Sequence, residues 1–593
     1  MNRFLSGLVS SIVLTFIGGC AANVASSAST IGKQLAQLND STTGAPQTQP
    51  AVVQVDGQPA LLYVNKDNRI VFQRGQQKLL IDETARVKGG NRIQLHAQDN
   101  HLYAMWWSHE NGKGLYFTSS VNQGNSFEAV STVNDQTGVL APQSLLRGQD
   151  GVLGMTYLDE RQQRFQAYFN RSTDFGRTWG RPDQRLDIPP KDDQPSFVLD
   201  FQSVESGSAW VSAWLDVNRT SDSPGYKIVA ARTEDAGLHW STPQVVYSSE
   251  KFLASLQISA VGNRIVVGAD ENEKGVIALT SNDHGRTWNP LDPIAGSRAA
   301  DGAEHFSNSG IRLAIAGDRA HLVWNEDQKG KKTIIKYGSL NIDQAKWTGE
   351  AVRLDTKTGS NTRSMSPSIL ASSKGQVVTA WVDYRDIRPN VYYSASNDGG
   401  QTWSSPAPVA PPGEISAGQQ KLIAWDDGVA IGYETYPTDL PTDGSYTLRL
   451  LSVDGTGVFA GVRSSFPQFD EAERKARLEQ RIKALWDYRV AGNFKATYEM
   501  YDYAFRAATP EASFLSGASY LTYNSYSYKD IALNGNEATV QMKVSYEAKS
   551  AFLVGKVVKL PPTDAEMENS WVWIANDWYL VYKPAVGVQL LNY

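Results

Sequence analysis

Two patterns of hydrophobic and polar positions divide the chain near residue 465. Between residues 50 and 465, short apolar runs end in an aromatic residue or glycine, and a polar residue follows two positions later. These polar residues are Asn65, His109, Asp159, Asp216, Asp270, Glu326, Asp383 and Glu434. Such runs predict β-strands, and eight units averaging 52 residues leave room for four short strands each.

The last part of the chain changes to helical spacing. Leu478, Ile482, Leu485 and Trp486 form one apolar stripe, which predicts a helix that Gly492 ends. Further helical segments and a series of strands follow, with an Asn534-Gly535 turn between two of the strands. Residues 466–593 are therefore predicted to form a separate, small α+β domain.

A repeated octet marks turns in the region before residue 465. It has Ser or Thr first, Asp or Asn third, Gly fifth and an aromatic residue eighth. Five copies start at Ser120, Ser172, Thr233, Ser281 and Ser396. Four copies carry both an aspartate and a tryptophan: Asp174, Asp235, Asp283 and Asp398, with Trp179, Trp240, Trp288 and Trp403. The carboxylate can cap N–H groups of its own turn, glycine supplies a positive φ, and the aromatic ring fills space between sheets.

A period near 50 residues with four short strands per unit is typical of a β-propeller. The repeats give eight blades by count. Counts of six or seven stay open, because partial first and last units can share one blade and close the ring.

The octets resemble Asp-boxes, and residues 50–465 are similar to the sialidase-like (BNR repeat) β-propeller superfamily. Tyr157-Leu-Asp159-Glu-Arg161 and Trp381-Val-Asp383-Tyr-Arg385 also carry this resemblance. It implies a site with three arginines on a substrate carboxylate, a tyrosine nucleophile activated by glutamate, and an aspartate as acid and base. Gly57 stands where the first of those arginines would be. We therefore do not expect sialidase activity.

The candidate catalytic residues are Asp159, Asp383, Arg161, Arg385 and Glu434. Two interpretations of the acidic residues that follow the strands stay open. Each carboxylate caps its own turn, or together they form a partly acidic mouth for cations, sugar hydroxyls or basic peptide.

The first twenty residues have the pattern of an export signal. A short apolar run from Leu8 to Ile17 precedes Gly18-Gly19-Cys20, which resembles the lipobox of bacterial lipoproteins. The resemblance implies lipidation of Cys20 and, with Ala21 next, sorting to the outer membrane. An ordinary cleaved signal is the alternative. Residues 21–49, rich in Ala, Ser, Thr and Gln, are predicted to be a flexible tether.

Composition excludes several classes of function. A formal charge of −6 gives no electrostatic basis for nucleic-acid binding, and a single cysteine excludes a disulfide framework. The seven histidines show no metal-ligand spacing, so no metal or cofactor is predicted. In the C-terminal domain, Ala491-Gly492-Asn493-Phe494 and Asn576-Asp577-Trp578 resemble segments of NTF2-like domains.

The sequence thus predicts a lipid-anchored protein of the bacterial cell envelope, in which a sialidase-like propeller (residues 50–465) precedes an NTF2-like domain (residues 466–593). Its expected role is to bind a glycan or an envelope protein, or to assist assembly. The alternative is a glycoside hydrolase of the exo-α-sialidase type, with Asp159 and Asp383 as acid and base.

Overall fold

In a computed structural model of the protein, the structure describes residues 34–40, 50–65, 69–82, 93–108, 114–162, 164–187, 196–220, 223–297, 308–328, 332–355, 364–386, 388–409, 416–426, 428–436, 446–453, 471–501, 505–506, 511–518, 521–534, 537–548, 551–553, 556–558, 562–574 and 577–581. Cys20, His109 and the predicted export signal lie outside these residues.

The described residues between 50 and 453 form eight antiparallel sheets in chain order. Within each sheet, consecutive strands pair as neighbours from the innermost strand outward, as short connections favour, except that in the sixth sheet two short last strands both pair with the third. The first four sheets are β2 (Ala51–Val55), β3 (Gln58–Val64), β4 (Ile70–Arg74), β5 (Gln77–Asp82); β6 (Ile93–Gln98), β7 (His101–Ser108), β8 (Gly114–Ser120), β9 (Ser131–Thr132); β10 (Val139–Arg147), β11 (Leu153–Asp159), β12 (Gln166–Ser172), β13 (Gln184–Arg185); and β14 (Ser196–Ser206), β15 (Ala209–Thr220), β16 (Ser223–Thr233), β17 (Gln244–Ser249).

The other four sheets follow the same plan. They are β18 (Leu253–Val261), β19 (Arg264–Glu271), β20 (Gly275–Ser281), β21 (Asn289–Leu291); β22 (Asn308–Ala316), β23 (Arg319–Gln328), β24 (Lys332–Asn341), β25 (Lys346–Trp347), β26 (Val352–Arg353); β27 (Ser364–Ala371), β28 (Val377–Asp386), β29 (Arg388–Ser396), β30 (Ala407–Pro408); and β31 (Ser416–Trp425), β32 (Gly428–Tyr436), β33 (Tyr446–Val453).

Packing between the sheets closes a circle. A separate hydrophobic cluster joins each sheet to the next, and a further one joins the eighth sheet to the first through Ile423, Trp425, Leu61 and Tyr63. The innermost strands also touch across this last junction, where β31 contacts β2. Strands such as β11 and β20 are buried along their whole length because both faces of each sheet pack on a neighbour. The fold is propeller-like.

The outermost strand of the eighth sheet comes from the start of the described chain. Strand β1 (Gln34–Asp40) pairs antiparallel with β33, and Leu38 lies opposite Leu448. These residues fall within the segment predicted as a flexible tether, so the structure corrects that prediction for residues 34–40. The physical reason is that the edge of β33 offers unpaired backbone groups, which a mostly polar segment can satisfy without an apolar pattern of its own.

The Asp-box turns join the third strand of a sheet to its fourth. In the second box, the Asp174 carboxylate accepts hydrogen bonds from the backbone N–H (2.9 Å) and hydroxyl (2.6 Å) of Thr178. Gly176 has φ of +82°, and a Cβ there would lie 2.0 Å from the Phe117 ring. The Trp179 ring packs edge-on against Phe117 with centroids 5.3 Å apart, so each box also seals the junction with the preceding sheet.

The C-terminal region forms its own α+β unit. It contains α1 (Glu471–Val490), α2 (Phe494–Glu499), α3 (Glu511–Ala518), β34 (Leu521–Asn534), β35 (Glu537–Ala548), β36 (Ala551–Leu553), β37 (Lys556–Val558), β38 (Thr563–Ile574) and β39 (Asp577–Val581). Four of the strands form an antiparallel sheet in the order β34-β35-β38-β39. The predicted stripe of α1 is fully buried against this sheet, and Trp486 lies between Tyr523 and Tyr526. The described tyrosines Tyr523 and Tyr526 therefore pack the interface between helix and sheet.

Candidate functional site

Six consecutive sheets share an irregularity near the start of the innermost strand. From the third sheet to the eighth, pairing of this strand with its neighbour shifts register once. Pairing resumes at a polar residue in every case: Gln143, Asp200, Gln257, Arg312, Ser368 and Lys421. Bulges of this kind turn side chains away from their regular alternation. Each of these six sheets therefore has a polar residue where the regular alternation of its innermost strand is interrupted.

A cavity of about 640 Å³ lies among these bulges. Its walls include Gln257, Arg312, Ser368, Gln420 and Lys421 from four innermost strands. Pro50 and Ile93, at the starts of two other innermost strands, and Tyr384 and Pro389, near the link between β28 and β29, also line the cavity, together with apolar side chains such as Leu313 and Ile369. The cavity therefore opens on the face opposite the Asp-box turns, since those turns follow the third strand of each sheet.

Two basic residues belong to the described lining of this axial cavity, and the bulge of the fourth sheet carries an acidic one, Asp200. Arg312 and Lys421 are the ionised residues among its described lining, which contains no aspartate or glutamate. Burial lowers the pKa of the Lys421 ammonium. Burial, then Lys421, then Arg147 lower the pKa of His96 to about 4, so this imidazole is neutral at pH 7. Arg147 itself is neutralised by Glu205, whose carboxylate accepts from its Nε at 2.8 Å.

Amide side chains connect the innermost strands and hold this wall in place. Gln202 donates from Nε2 to the carbonyl oxygen of Leu256 at 3.0 Å and accepts from the N–H of Ile258 at 3.3 Å. Gln420 likewise donates to the carbonyl oxygen of Ser366. Because these bonds cross between sheets, the cavity wall is preorganised before any ligand binds.

The acidic residues at the ends of the second strands are not part of the described lining of this cavity. Asp159, Asp270, Glu326, Asp383 and Glu434 are each at most 3% exposed. The Asp159 carboxylate accepts from the N–H of Arg161 at 2.6 Å, and that of Asp383 from the N–H of Arg385 at 2.8 Å. These two cap their own turns, as the first of the two interpretations requires. These five carboxylates do not form an acidic mouth, because each is buried inside the propeller.

The Arg161 guanidinium lies at the centre of a buried cluster. It contacts Asp159 (2.8 Å), Asp135 (2.6 Å) and Asp183 (2.7 Å), and it stacks on the Tyr168 ring at 4.3 Å. The hydrogen bond with Asp183, more than any other contact, lowers the pKa of Asp135 to about 2. Burial, followed by Asp135, raises the pKa of Asp183. One guanidinium thus compensates three carboxylates away from solvent.

Arg385 repeats this arrangement in the seventh sheet. Its Nη2 donates to Asp383 at 2.7 Å, and its guanidinium stacks on the Tyr392 ring at 4.1 Å. Ser364 and the Trp381 indole also donate to the Asp383 carboxylate. The spacing of Asp, Arg and Tyr is the same as in the third sheet. In both sheets, the aspartate and the arginine therefore stabilise their own turn.

A tyrosine and a glutamate, the residue types that the sialidase site pairs, are hydrogen-bonded to each other away from the innermost strands. The Tyr247 hydroxyl donates to the Glu271 carboxylate at 2.8 Å, and Ser249 and Lys274 donate to the same carboxylate. Tyr247 lies on the outermost strand β17, whereas Arg161 and Arg385 are held in their own clusters. Among the described residues, these groups do not converge on the axis. Glu434 is buried, and its neighbour Tyr433 donates instead to the carbonyl oxygen of Val409.

Asp216 differs from the other acidic residues of the strand ends. It is half-buried and makes no hydrogen bond to any described residue. Burial raises the pKa of its carboxyl to about 6, against the opposing effect of Lys227 on the paired strand. Its carboxyl therefore loses its proton at a higher pH than an exposed aspartate does.

Sequence reasoning missed Arg312 and Lys421. Both lie on innermost strands, whereas the residues predicted from the sequence lie at the end of the second strand of each sheet. A signal was available, since polar residues interrupt the apolar runs in Ser309-Gly310-Ile311-Arg312 and Gly418-Gln419-Gln420-Lys421. In the first of these, Gly310 has φ of +63°, as a bulge glycine requires.

Two further features are absent from the described residues. They contain no group of three or more His, Cys, Asp or Glu side chains arranged to hold a metal ion. None of the described helices combines the length and apolarity needed to cross a bilayer.

Comparisons with known proteins give no family for this chain. No protein-family model and no curated protein matches the sequence. Solved structures with a similar course of the chain include a PL25 polysaccharide lyase, an ulvan lyase bound to a GlcA and Rha3S saccharide (11% identity, 71% of this chain, 96% of that chain, TM-score 0.41). A NanB sialidase variant from Streptococcus pneumoniae (9%, 71%, 98%, 0.34) and an α-L-arabinanase from Penicillium chrysogenum (12%, 53%, 93%, 0.31) are others. These TM-scores all lie below 0.5, so the assignments rest on the chain's own residues.

Proposed function

We propose that the protein is a lipid-anchored, saccharide-binding module of the bacterial cell envelope, with the axial cavity as its ligand site. The observation that carries the proposal is the lining of this cavity: amide and hydroxyl donors on rigid innermost strands, two cations and no carboxylate among the described residues. A concave site of about 640 Å³ has the size of a small ligand site. It suits one or two sugar rings and is too small to admit a folded protein domain.

Binding is favoured over hydrolysis by where the carboxylates lie. Glycoside hydrolysis uses two carboxyl groups on opposite sides of the scissile bond, about 5–10 Å apart. The described cavity lining supplies none, while Asp159 and Asp383 belong to different sheets and are saturated by their own arginines.

One observation favours the alternative of a glycoside hydrolase. Asp216 keeps a half-buried carboxyl without a hydrogen-bond partner among the described residues, and its pKa of about 6 suits a general acid. This function would require a second carboxylate close to Asp216.

The architecture around the site belongs to the same proposal. We take the eight sheets as eight blades of a closed propeller, supported by the hydrophobic clusters that join each sheet to the next and the eighth to the first. Strand β1 completes the last blade. The C-terminal unit is proposed to be an NTF2-like domain for dimerisation or partner docking, supported by helix α1 packed on a four-stranded antiparallel sheet.

Calorimetric titration with envelope and extracellular oligosaccharides tests the proposal. We expect saturable binding that Gln257→Ala weakens several-fold, because the amide lines the cavity, whereas Gln184→Ala on the short outer strand β13 leaves it unchanged. Fluorogenic glycosides are assayed in parallel with the Asp216→Asn variant. Turnover that disappears in this variant would replace the binding module by the hydrolase. Absence of both binding and turnover would refute both functions.

A further inference from the structure

We infer that Lys421 is a nucleophilic amine that captures the reducing end of a bound saccharide, forming an imine between its Nζ and the open-chain aldehyde. This inference rests on the proposed saccharide-binding function and adds a covalent step to it.

Lys421 has the position that such a step needs. It lies in the wall of the axial cavity, at the residue where pairing resumes after the bulge of β31. Bulges redirect side chains, and they are over-represented next to active sites. Among the described lining residues Lys421 is the one amine, since the guanidinium of Arg312 stays protonated and is no nucleophile.

The backbone next to Lys421 is fixed to the neighbouring sheet. The Gln420 side chain is 8% exposed and donates to the carbonyl oxygen of Ser366 on β27. Ser366 has φ of +54°, in the left-handed region that residues other than glycine rarely adopt. Backbone strain of this kind costs free energy and clusters at binding and catalytic sites. The wall that carries Lys421 is therefore built at a cost to the free protein.

The ammonium form of Lys421 has no counter-ion among the described residues. It makes no hydrogen bond or ion pair with any of them, and burial lowers its pKa. Asp200, at the bulge of the fourth sheet, is not part of the described lining and does not offset this effect of burial. A lysine becomes a nucleophile where its surroundings favour the neutral amine, and those of Lys421 do so.

His96 and its neighbours leave this preference intact. Burial first, then Lys421 and Arg147, lower the pKa of the His96 imidazole to about 4, so the ring is uncharged at pH 7. The carboxylate of Glu205 is engaged by Arg147 at 2.8 Å. Neither group therefore supplies a negative charge that would hold the proton on Lys421.

The chemistry balances with the amine and the aldehyde alone. The lone pair of neutral Nζ attacks the aldehyde carbon, and the carbonyl π electrons move to the oxygen. The two protons of the amine pass to this oxygen through solvent, the C–O bond breaks, and water leaves as the C=N bond forms. In a saccharide, the reducing end is the group that opens to such a carbonyl, so it is the electrophile that a sugar-binding cavity would present to Lys421.

Reductive labelling tests the inference. The full chain is incubated with sodium cyanoborohydride, which reduces an imine to a stable amine, and with glycolaldehyde or reducing disaccharides of glucose, galactose or N-acetylglucosamine. Peptide mass spectrometry compares Lys421 with exposed Lys346 on outer strand β25. We expect Lys421 to be labelled at pH 7 at least about tenfold faster, because each unit of lowered pKa gives tenfold more neutral amine. Methyl glycosides of the same disaccharides cannot open and should give no label.

Two variants separate reactivity from binding. Lys421→Arg keeps the positive charge and should lose the label at this position while the protein stays folded, as thermal unfolding would show. Gln257→Ala should slow labelling by the disaccharide several-fold and leave labelling by glycolaldehyde unchanged, because it weakens saccharide binding without touching the amine.

The outcomes distinguish the covalent step from the proposed function. Equal labelling of Lys421 and Lys346 would overturn the inference, and so would labelling of Lys421 by glycolaldehyde but by no disaccharide. If the methyl glycosides bind in calorimetry while the reducing forms leave Lys421 unlabelled, saccharide binding stands and the covalent step falls. Absence of both binding and labelling would remove both.

Discussion

At the scale of single residues, the buried carboxylates around Arg161 depend on one cation. Its side chain is 7% exposed and contacts Asp135, Asp159 and Asp183. Removing the cation leaves three acidic groups without compensation in a low dielectric, which is far more costly than losing an exposed ion pair.

Replacing Arg161 therefore tests whether the strand-end pairs are structural. We expect Arg161→Met to reduce the free energy of unfolding by about 3–5 kcal/mol, measured by urea denaturation. Arg177→Met, which removes an exposed pair with Glu128, should leave it unchanged. A stable Arg161→Met protein that loses only an enzymatic activity would return Arg161 to the catalytic candidates.

Asp216 gives a prediction of pH dependence. Burial raises the pKa of its folded-state carboxyl to about 6, above the value near 4 expected in the unfolded chain. The contribution of this group to stability is therefore complete below pH 4 and is lost as the pH rises through 6. We expect Asp216→Asn to be more stable than the parent by about 1–2 kcal/mol at pH 8 and equal to it at pH 4, as urea denaturation at the two values would show. A constant difference between the two proteins would contradict this assignment.

The sequence showed which residues stand side by side at the strand ends, since Asp159 and Arg161 are two residues apart. It did not show that they are buried, because burial depends on Asp135 and Asp183, which other turns supply. The cavity residues were missed for a similar reason: a bulge changes the direction of a side chain without changing its place in the sequence.

At the scale of elements, the Asp-boxes were predicted because their interactions are local. In the fourth box, the Asp283 carboxylate accepts from the Ser281 hydroxyl and from the backbone and hydroxyl of Thr287. All of these partners lie within four residues. In the first box Asn122 accepts equivalent bonds from Ser120 and Ser126, so an amide can replace the carboxylate.

This equivalence predicts the effect of two substitutions. Asp283→Ala should lower the free energy of unfolding by about 1–2 kcal/mol, because capped N–H groups lose their acceptor. Asp283→Asn should cost much less, as Asn122 shows for the first box. Chemical denaturation of the two variants measures the difference, and equal losses would mean that the charge of the aspartate matters more than its capping.

Strand β1 shows what local patterns do not predict. Residues 34–40 have no strong apolar alternation, and they form a strand because β33 offers a free edge. Deleting residues 34–40 should lower the melting temperature and promote aggregation through the exposed edge of β33. Deleting residues 22–33 is the matched control, and light scattering during thermal unfolding provides the measurement. Equal behaviour of the two deletions would contradict the closing role of β1.

At the scale of the whole molecule, the repeats predicted a succession of similar four-stranded sheets, since each unit is built from neighbouring residues. Closure of the ring and the axial cavity follow from contacts between distant parts of the chain, such as Trp425 with Leu61 and Tyr63. A single sequence does not display such contacts.

Membrane attachment is tested through Cys20, which lies outside the described residues. Cys20→Ala should move the protein from the membrane fraction to the soluble fraction after cell lysis, because the thiol that would carry the lipid is removed. Retention of the variant in washed membranes would contradict the proposed anchor.

The direction of β1 has a consequence for how ligands arrive. Gln34 pairs with Leu451 near the end of β33, and Asp40 pairs with Tyr446 at its start, so the chain enters the propeller from the Asp-box side. Thirteen residues separate Cys20 from Gln34, a reach of at most about 50 Å. With the proposed lipid at Cys20, the bilayer is tied to the Asp-box side and the cavity opens towards the other side. A saccharide would then reach the cavity from the side that faces away from the membrane, without passing between protein and bilayer.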